Sequence, residues 1–246
     1  MTVTDTTTIA PPEIRRFMHE LKRRDLTVVD VGRVTPHMIR ITLQVDSLRD
    51  FPSVSPDDHI KIFVPQGDGE MARRDYTPRV FDRAAGTLVL DFVDHDGGPA
   101  ADWARSAKPG DHLAIGGPKG SRVITGDIRN WLLIGDETAL PAIGRRVEEL
   151  DAGTPVTTLA AVTDASEEQS FETKASYTPV WVHRPSEQAH QAEPFLRALK
   201  TIQIAPQTFI WVAAEASVAR SIRSVLENER GISPQWIKAS GYWTKG

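Results

Sequence analysis

The hydrophobic pattern of this chain changes period once, near residues 125–130, and that change limits the fold more than any single motif. Before it, apolar residues alternate with polar ones: Ile39, Ile41, Leu43 and Val45 in HMIRITLQV, then Ile60, Ile62 and Val64 in HIKIFVP. A period of two lays one face of a strand on a core. GTLVLDFVDH and GDHLAIGG continue the series, each opened by a turn signal. Several short strands, interrupted by one helix at PAADWARSA, imply an antiparallel β-barrel. After the change, the runs NWLLIG, TPVTTLAAVT, TPVWVH, TFIWVAA and QWIKAS are separated by helical spacings. Leu140, Ile143, Val147 and Leu150 form one such spacing; Val218, Ile222, Val225 and Leu226 form another. A further helix is expected from Pro194, carrying Phe195, Leu196 and Leu199. Strands alternating with helices imply a doubly wound parallel α/β sheet.

The expected plan is a disordered tail over 1–12, a β-barrel domain over 13–126 and an α/β domain over 127–246. Ligands of open parallel sheets sit beyond the carboxyl ends of the strands, so a cleft facing the barrel is the expected site. TDASEEQSFETKASY, residues 163–177, reads as a solvated excursion between elements. The net charge of −4 gives no reason to expect nucleic acid or an anionic membrane as partner. There is no cysteine, which excludes disulfides, thiolate nucleophiles and cysteine-held metal centres. The seven histidines show no H-x-x-x-H spacing, and no protein-held metal is expected. MTVTDTTTIAPP lacks the apolar stretch of a signal peptide, and no apolar run is long enough to span a bilayer, so the cytoplasm is the expected location.

Three segments carry the chemistry. In RRDYTPR, residues 73–79, Arg74 and Tyr76 point the same way in an extended strand, and Pro78 holds Thr77 extended. Cations, an aromatic face and a hydroxyl in one strand suit a nucleotide or flavin; an edge strand with solvated arginines would look the same. In HDGGPAADWA, Gly97 and Gly98 precede Pro99 at a first helical position, followed by Ala100 and Ala101. Free amides at such a helix start attract phosphate, although a plain capped helix also accounts for the segment. GGPKGS, residues 116–121, is a second glycine-rich turn. In LLIGDETALPAIGRRV, Asp136 suits an N-cap and Glu137 the positive helix end, and two carboxylates there make a poor phosphate cradle.

Taken in order, RDYTPR, HDGGPAADWA, GPKGS, GDETALPAI and the closing GYWTKG resemble the siderophore-interacting protein family, the FAD-dependent ferric-siderophore reductases of the ferredoxin–NADP reductase-like superfamily. The resemblance covers nearly the whole chain past the N-terminal tail. It implies that Tyr76 stacks on the isoalloxazine, Thr77 bonds its edge and Arg74 neutralises phosphate. It implies further that His95, Gly97, Gly98, Pro99 and Ala100 line the cofactor's tail and pyrophosphate, with Ser121 in contact. Trp103 is a ring contact or simple core. Asp136, Thr138 and Ala139 would line the flavin and nicotinamide rings, with Glu215 at another nucleotide-side edge. Lys61, Lys238 and Lys245 are the candidate cations for an anionic ferric siderophore, with Arg122 beside them. At Thr244 many family members carry arginine. NADPH or NADH is the implied donor, with ferredoxin used by some members; Arg184 is the candidate for a 2′-phosphate, while Asp164, Glu167 and Glu168 argue for NADH. The implied function is reduction of Fe(III)-siderophore by a monomeric enzyme, with Fe(II) released. A general flavin reductase or diaphorase on the same fold, or a non-enzymatic siderophore or flavin carrier, are the competing readings.

Overall fold

The protein's computed structural model describes residues 10–46, 48–67 and 69–245, so most of the expected tail lies outside the described residues. Pro12, within that tail, is buried, and a Cβ on Gly126 would meet its Cα at 3.0 Å. The end of the tail is therefore anchored to the segment that joins the two halves.

Among the described residues nine strands precede the change of period: β1 (Glu13–Met18), β2 (Arg23–Thr35), β3 (Met38–Gln44), β4 (Ile60–Gln66), β5 (Glu70–Tyr76), β6 (Val80–Asp82), β7 (Thr87–Val93), β8 (His112–Gly116) and β9 (Gly120–Thr125). Seven form one antiparallel sheet in the order β5-β4-β8-β2-β3-β7-β6. Its edge strands β5 and β6 do not pair with each other, so the sheet curls into a half-barrel without closing. The alternating residues meet on the inside, where Leu26, Ile41, Ile60, Ile62, Leu90, Phe92 and Ile115 form one core. Helix α1 (Pro99–Ser106) covers that core through Ala100 and Ala104. β1 and β9 make a separate antiparallel ribbon.

The second half is a parallel sheet of β10 (Asn130–Gly135), β11 (Pro155–Val162), β12 (Ser176–His183), β13 (Thr208–Glu215) and β14 (Ile237–Trp243), in the order β12-β11-β10-β13-β14. Helix α2 (Leu140–Glu149) covers one face, where Leu133, Ile143, Val147, Phe209 and Trp211 pack together. α3 (Glu193–Leu199) and α4 (Ala216–Asn228) cover the other, bringing Phe195, Leu199, Val218, Ile222 and Leu226 onto Leu132, Ile134, Leu159 and Ile210. Helices on both faces are why these strands read as apolar runs and not as alternation; β13 is buried at every position. Each large apolar side chain so buried contributes roughly 1.5–3 kcal/mol. No helix of the described residues is long and apolar enough to cross a membrane.

The expected solvated excursion is instead a strap that binds the two halves. Glu167 is buried and accepts from Thr35 Oγ1 at 2.6 Å, the His37 backbone N–H at 2.9 Å and His37 Nδ1 at 2.8 Å. Phe171 is buried on α2, where a Cβ on Gly144 would meet its ring at 2.6 Å. The charge run concealed this because one of its acids, Glu167, finds its partners at the distant end of β2 and the turn after it.

Candidate functional site

β5 pairs with β4 alone, which leaves its outer side open. Arg74 lies opposite Ile62 and Tyr76 opposite Ile60. The one acid of the motif, Asp75, is held by Lys61 at 2.6 Å. Arg74 is exposed; its guanidinium donates to the Arg73 carbonyl at 2.9 Å and has no carboxylate partner among the described residues. Tyr76 is half-buried, with its ring 4.4 Å from that of Phe92, which lies 5.7 Å from Trp103. Trp103 therefore backs the aromatic row and packs on the barrel core. Burial pushes the Tyr76 hydroxyl up, against the opposing pull of Arg74, so it stays protonated. Thr77 is buried and lies beside the Tyr242 hydroxyl of β14, which brings the motif against the second sheet. Arg79 turns inward and pairs with Glu148 of α2 through two 2.6 Å bonds.

The start of α1 is open to a ligand. Its N-cap, Gly98, makes no side-chain capping bond, and Pro99 has no N–H, so the first-turn amides of Ala100 and Ala101 lack intrahelical acceptors. Gly97 has φ +77°, a conformation that favours glycine. Gly98 is needed for a different reason: a Cβ there would lie 2.6 Å from Cε1 of His95, whose ring covers the helix start. An uncommitted guanidinium, a half-buried aromatic face and an uncapped glycine-led helix start are the donor set that a flavin ring and a pyrophosphate require, and these residues fit FAD.

The carboxyl edge of the parallel sheet has the opposite character. Asp136 is wholly buried and collects four donors: Thr138 N–H at 3.0 Å, Thr138 Oγ1 at 2.5 Å, Glu215 N–H at 3.0 Å and Trp243 Nε1 at 2.8 Å. Burial pushes its carboxyl up, with Thr138, Trp243 and Arg184 opposing. Asp136 is therefore a tie between the ends of β10, β13 and β14, and its carboxylate has no group left for a cofactor. Ala139 also faces inward: a Cβ on Gly135 would come within 2.5 Å of its own. Of the three loop residues expected at the rings, only Thr138 is partly accessible, and its hydroxyl is held by Asp136. Glu215 is buried and caps α4, accepting from Ser217 N–H at 2.6 Å and Val218 N–H at 3.1 Å.

Other expected contacts are committed elsewhere. Ser121 is buried, bonding Asp58 at 2.7 Å and His19 Nε2 at 2.8 Å, so its hydroxyl does not face a cofactor. Arg184 is 2% exposed and bidentate to Glu137 at 2.9 and 2.7 Å, which removes it as a surface receptor for a 2′-phosphate. Lys238 is 7% exposed, and its ammonium bonds Asp57, which also accepts from Trp211 Nε1 at 3.2 Å and Ser55 Oγ at 2.8 Å. It reaches a ligand only if that pair opens. Lys245 is exposed and lies against His190. Arg122 is exposed on β9, opposite Arg16. Asp57 was not expected from the sequence, nor were the bonds made by Tyr242, Trp243 and Glu167; no local spacing marks them, because each acts across more than one element.

Residues 128–246 match the family model for siderophore-interacting proteins, and residues 27–73 and 66–122 match that of the siderophore-interacting FAD-binding domain. The chain belongs to the siderophore-interacting protein family. Among its curated relatives in that family is an NADPH-dependent ferric-chelate reductase from Escherichia coli, 33% identical, with the match covering 93% of this chain and 96% of the relative. A ferric vibriobactin reductase from Vibrio cholerae is 27% identical over 87% of this chain and 86% of its own. The crystal structure of a siderophore utilization protein from T. fusca superposes with a TM-score of 0.86 at 35% identity, covering 96% of this chain and 97% of that one.

Proposed function

We propose that this protein is a ferric-siderophore reductase, passing electrons from NAD(P)H through FAD to the Fe(III) chelate and releasing Fe(II). The observation that carries the reading is the uncommitted pair of Arg74 and the α1 start, flanking the half-buried Tyr76 ring. When bound, FAD supplies the redox chemistry, taking a hydride from the dinucleotide and giving electrons singly to two ferric ions. The protein's residues bind and orient. Arg74 and the amides after Gly98 neutralise the pyrophosphate, with Gly97 and His95 shaping its approach. Tyr76, backed by Phe92, offers a fixed ring face for stacking. Thr77, beside the Tyr242 hydroxyl, sets the strand end next to the second sheet. Lys61 on β4 and, on opening of its pair with Asp57, Lys238 meet the anionic chelate. The iron is substrate, and among the described residues no cluster of histidine and acidic side chains could hold it.

The test is spectroscopic. Purified protein is expected to be yellow, to bleach on anaerobic addition of NADH or NADPH, and to recolour with a ferric siderophore. Tyr76→Ala is expected to lose FAD on dialysis or to slow the bleaching. A colourless protein that cannot be reconstituted with FAD would sink the proposal.

A further inference from the structure

At the carboxyl edge of the parallel sheet, the turn ahead of α2 and the start of α4 are closed by buried carboxylates, while the seven-residue α3 has no side-chain cap. Asp136 bonds the turn ahead of α2, and Glu215 caps α4. A dinucleotide lying along that edge, where open parallel sheets bind such ligands, meets acids at the places where other nucleotide-binding sheets offer free amides. Its phosphates need a cation from another element. Arg184 does not serve, being buried against Glu137.

The segment beyond β14 supplies one. The Lys245 backbone lies near the Glu215 carboxylate and helps hold it below its usual range, which puts the segment beside the end of β13. The Lys245 ammonium lies 3.2 Å from Nε2 and 3.3 Å from Nδ1 of His190, and among the described residues it has no carboxylate partner. Its neighbours separate it from the chelate-side cation. Lys238 and Tyr242 face the barrel, toward Asp57 and Thr77. Gly241 faces α4, where a Cβ would meet that of Ala216 at 2.7 Å. Lys245 lies past the end of β14, and its contact with His190, three residues ahead of α3, places its ammonium on the side where α3 begins. An ammonium set against an imidazole, with no carboxylate bonded to it among the described residues, is a pair that an anion would stabilise.

We propose that Lys245, together with His190, contacts a phosphate of the dinucleotide donor, and not the ferric chelate to which the sequence assigned it. The inference rests on the reductase reading. FAD-loaded protein and its Lys245→Ala variant would be titrated calorimetrically with NAD+ and NADP+, and the KM for a ferric chelate measured on both. Loss of one charge-assisted bond is expected to weaken dinucleotide binding about tenfold and leave the chelate KM within about twofold. A loss shared by both dinucleotides identifies the bridging diphosphate as the partner; a loss with NADP+ alone identifies the 2′-phosphate. His190→Gln is expected to shift the same constants in the same direction, by less. Unchanged dinucleotide affinity in Lys245→Ala, with or without a raised chelate KM, overturns the proposal. Wild-type protein that binds neither dinucleotide overturns the reductase reading itself, and that failure is visible before any variant is made.

Discussion

The barrel half and the parallel-sheet half handle their polar groups in opposite ways. At Arg74 and the start of α1, donors are left without protein partners. At Asp136, Glu137 and Glu215, the carboxylates are saturated by bonds from neighbouring strands and turns. Unsatisfied donors near a surface invite a ligand that completes them, whereas a satisfied buried network holds its elements in fixed register. The first region thus has the chemistry of a binding surface and the second that of a wall which positions one. Lys245 stands out on the wall because its ammonium is not part of that network.

The comparison can be broken most directly at the wall. Asp136→Ala would strand Trp243 Nε1 and the Glu215 N–H in a dry site, and a loss of about 3 kcal/mol in unfolding free energy is expected from denaturant titration. A loss below about 1 kcal/mol would mean that the carboxylate does not hold the edge. Next is the pair that joins the halves, Asp57 with Lys238. Burial alone would push Asp57 up, but Lys238, Ser55 and Trp211 outweigh it and hold the carboxyl below its usual range. A depressed carboxyl stabilises the fold at pH values above its unfolded pKa, about 3.9, and that contribution is lost as pH falls through the lower folded value. Wild type and Asp57→Asn should therefore differ by about 2 kcal/mol near neutral pH, and the difference should shrink as pH falls below the unfolded value and through the lower folded one, as read from denaturation at each pH.

On the binding surface the expected effect is on ligand and not on fold. Arg74→Ala should weaken FAD about tenfold by fluorescence titration while moving the melting temperature of FAD-free protein by less than about 2 °C. A large drop in that temperature would show that Arg74 is a structural residue like those of the wall. The smallest effect belongs to Lys61→Gln. Its exposed pair with Asp75 is worth under about 0.5 kcal/mol, so stability should hold while the KM for a ferric siderophore rises a few-fold.

Legibility in the sequence followed the range of each interaction. Ile39, Ile41 and Leu43 alternate because strand geometry is local, and the apolar runs of β10 and β13 reflect a sheet covered on both faces. Gly97, Gly98 and Pro99 marked a helix start for the same local reason. The strap at residues 163–177 was misread because Glu167 bonds Thr35 and His37, more than a hundred residues away. Lys238 and Ser121 looked available for ligands because their partners, Asp57 and Asp58, sit on a distant loop ahead of β4.

By itself, the sequence determined the two architectures, the helix start and the cationic aromatic strand, since each depends on residues within a turn or two of one another. Only the tertiary structure decided which polar groups remain unpaired. A charged side chain is available to a ligand or consumed internally according to what packs against it, and for Arg74, Asp136, Arg184 and Lys245 that is settled by the meeting of distant elements.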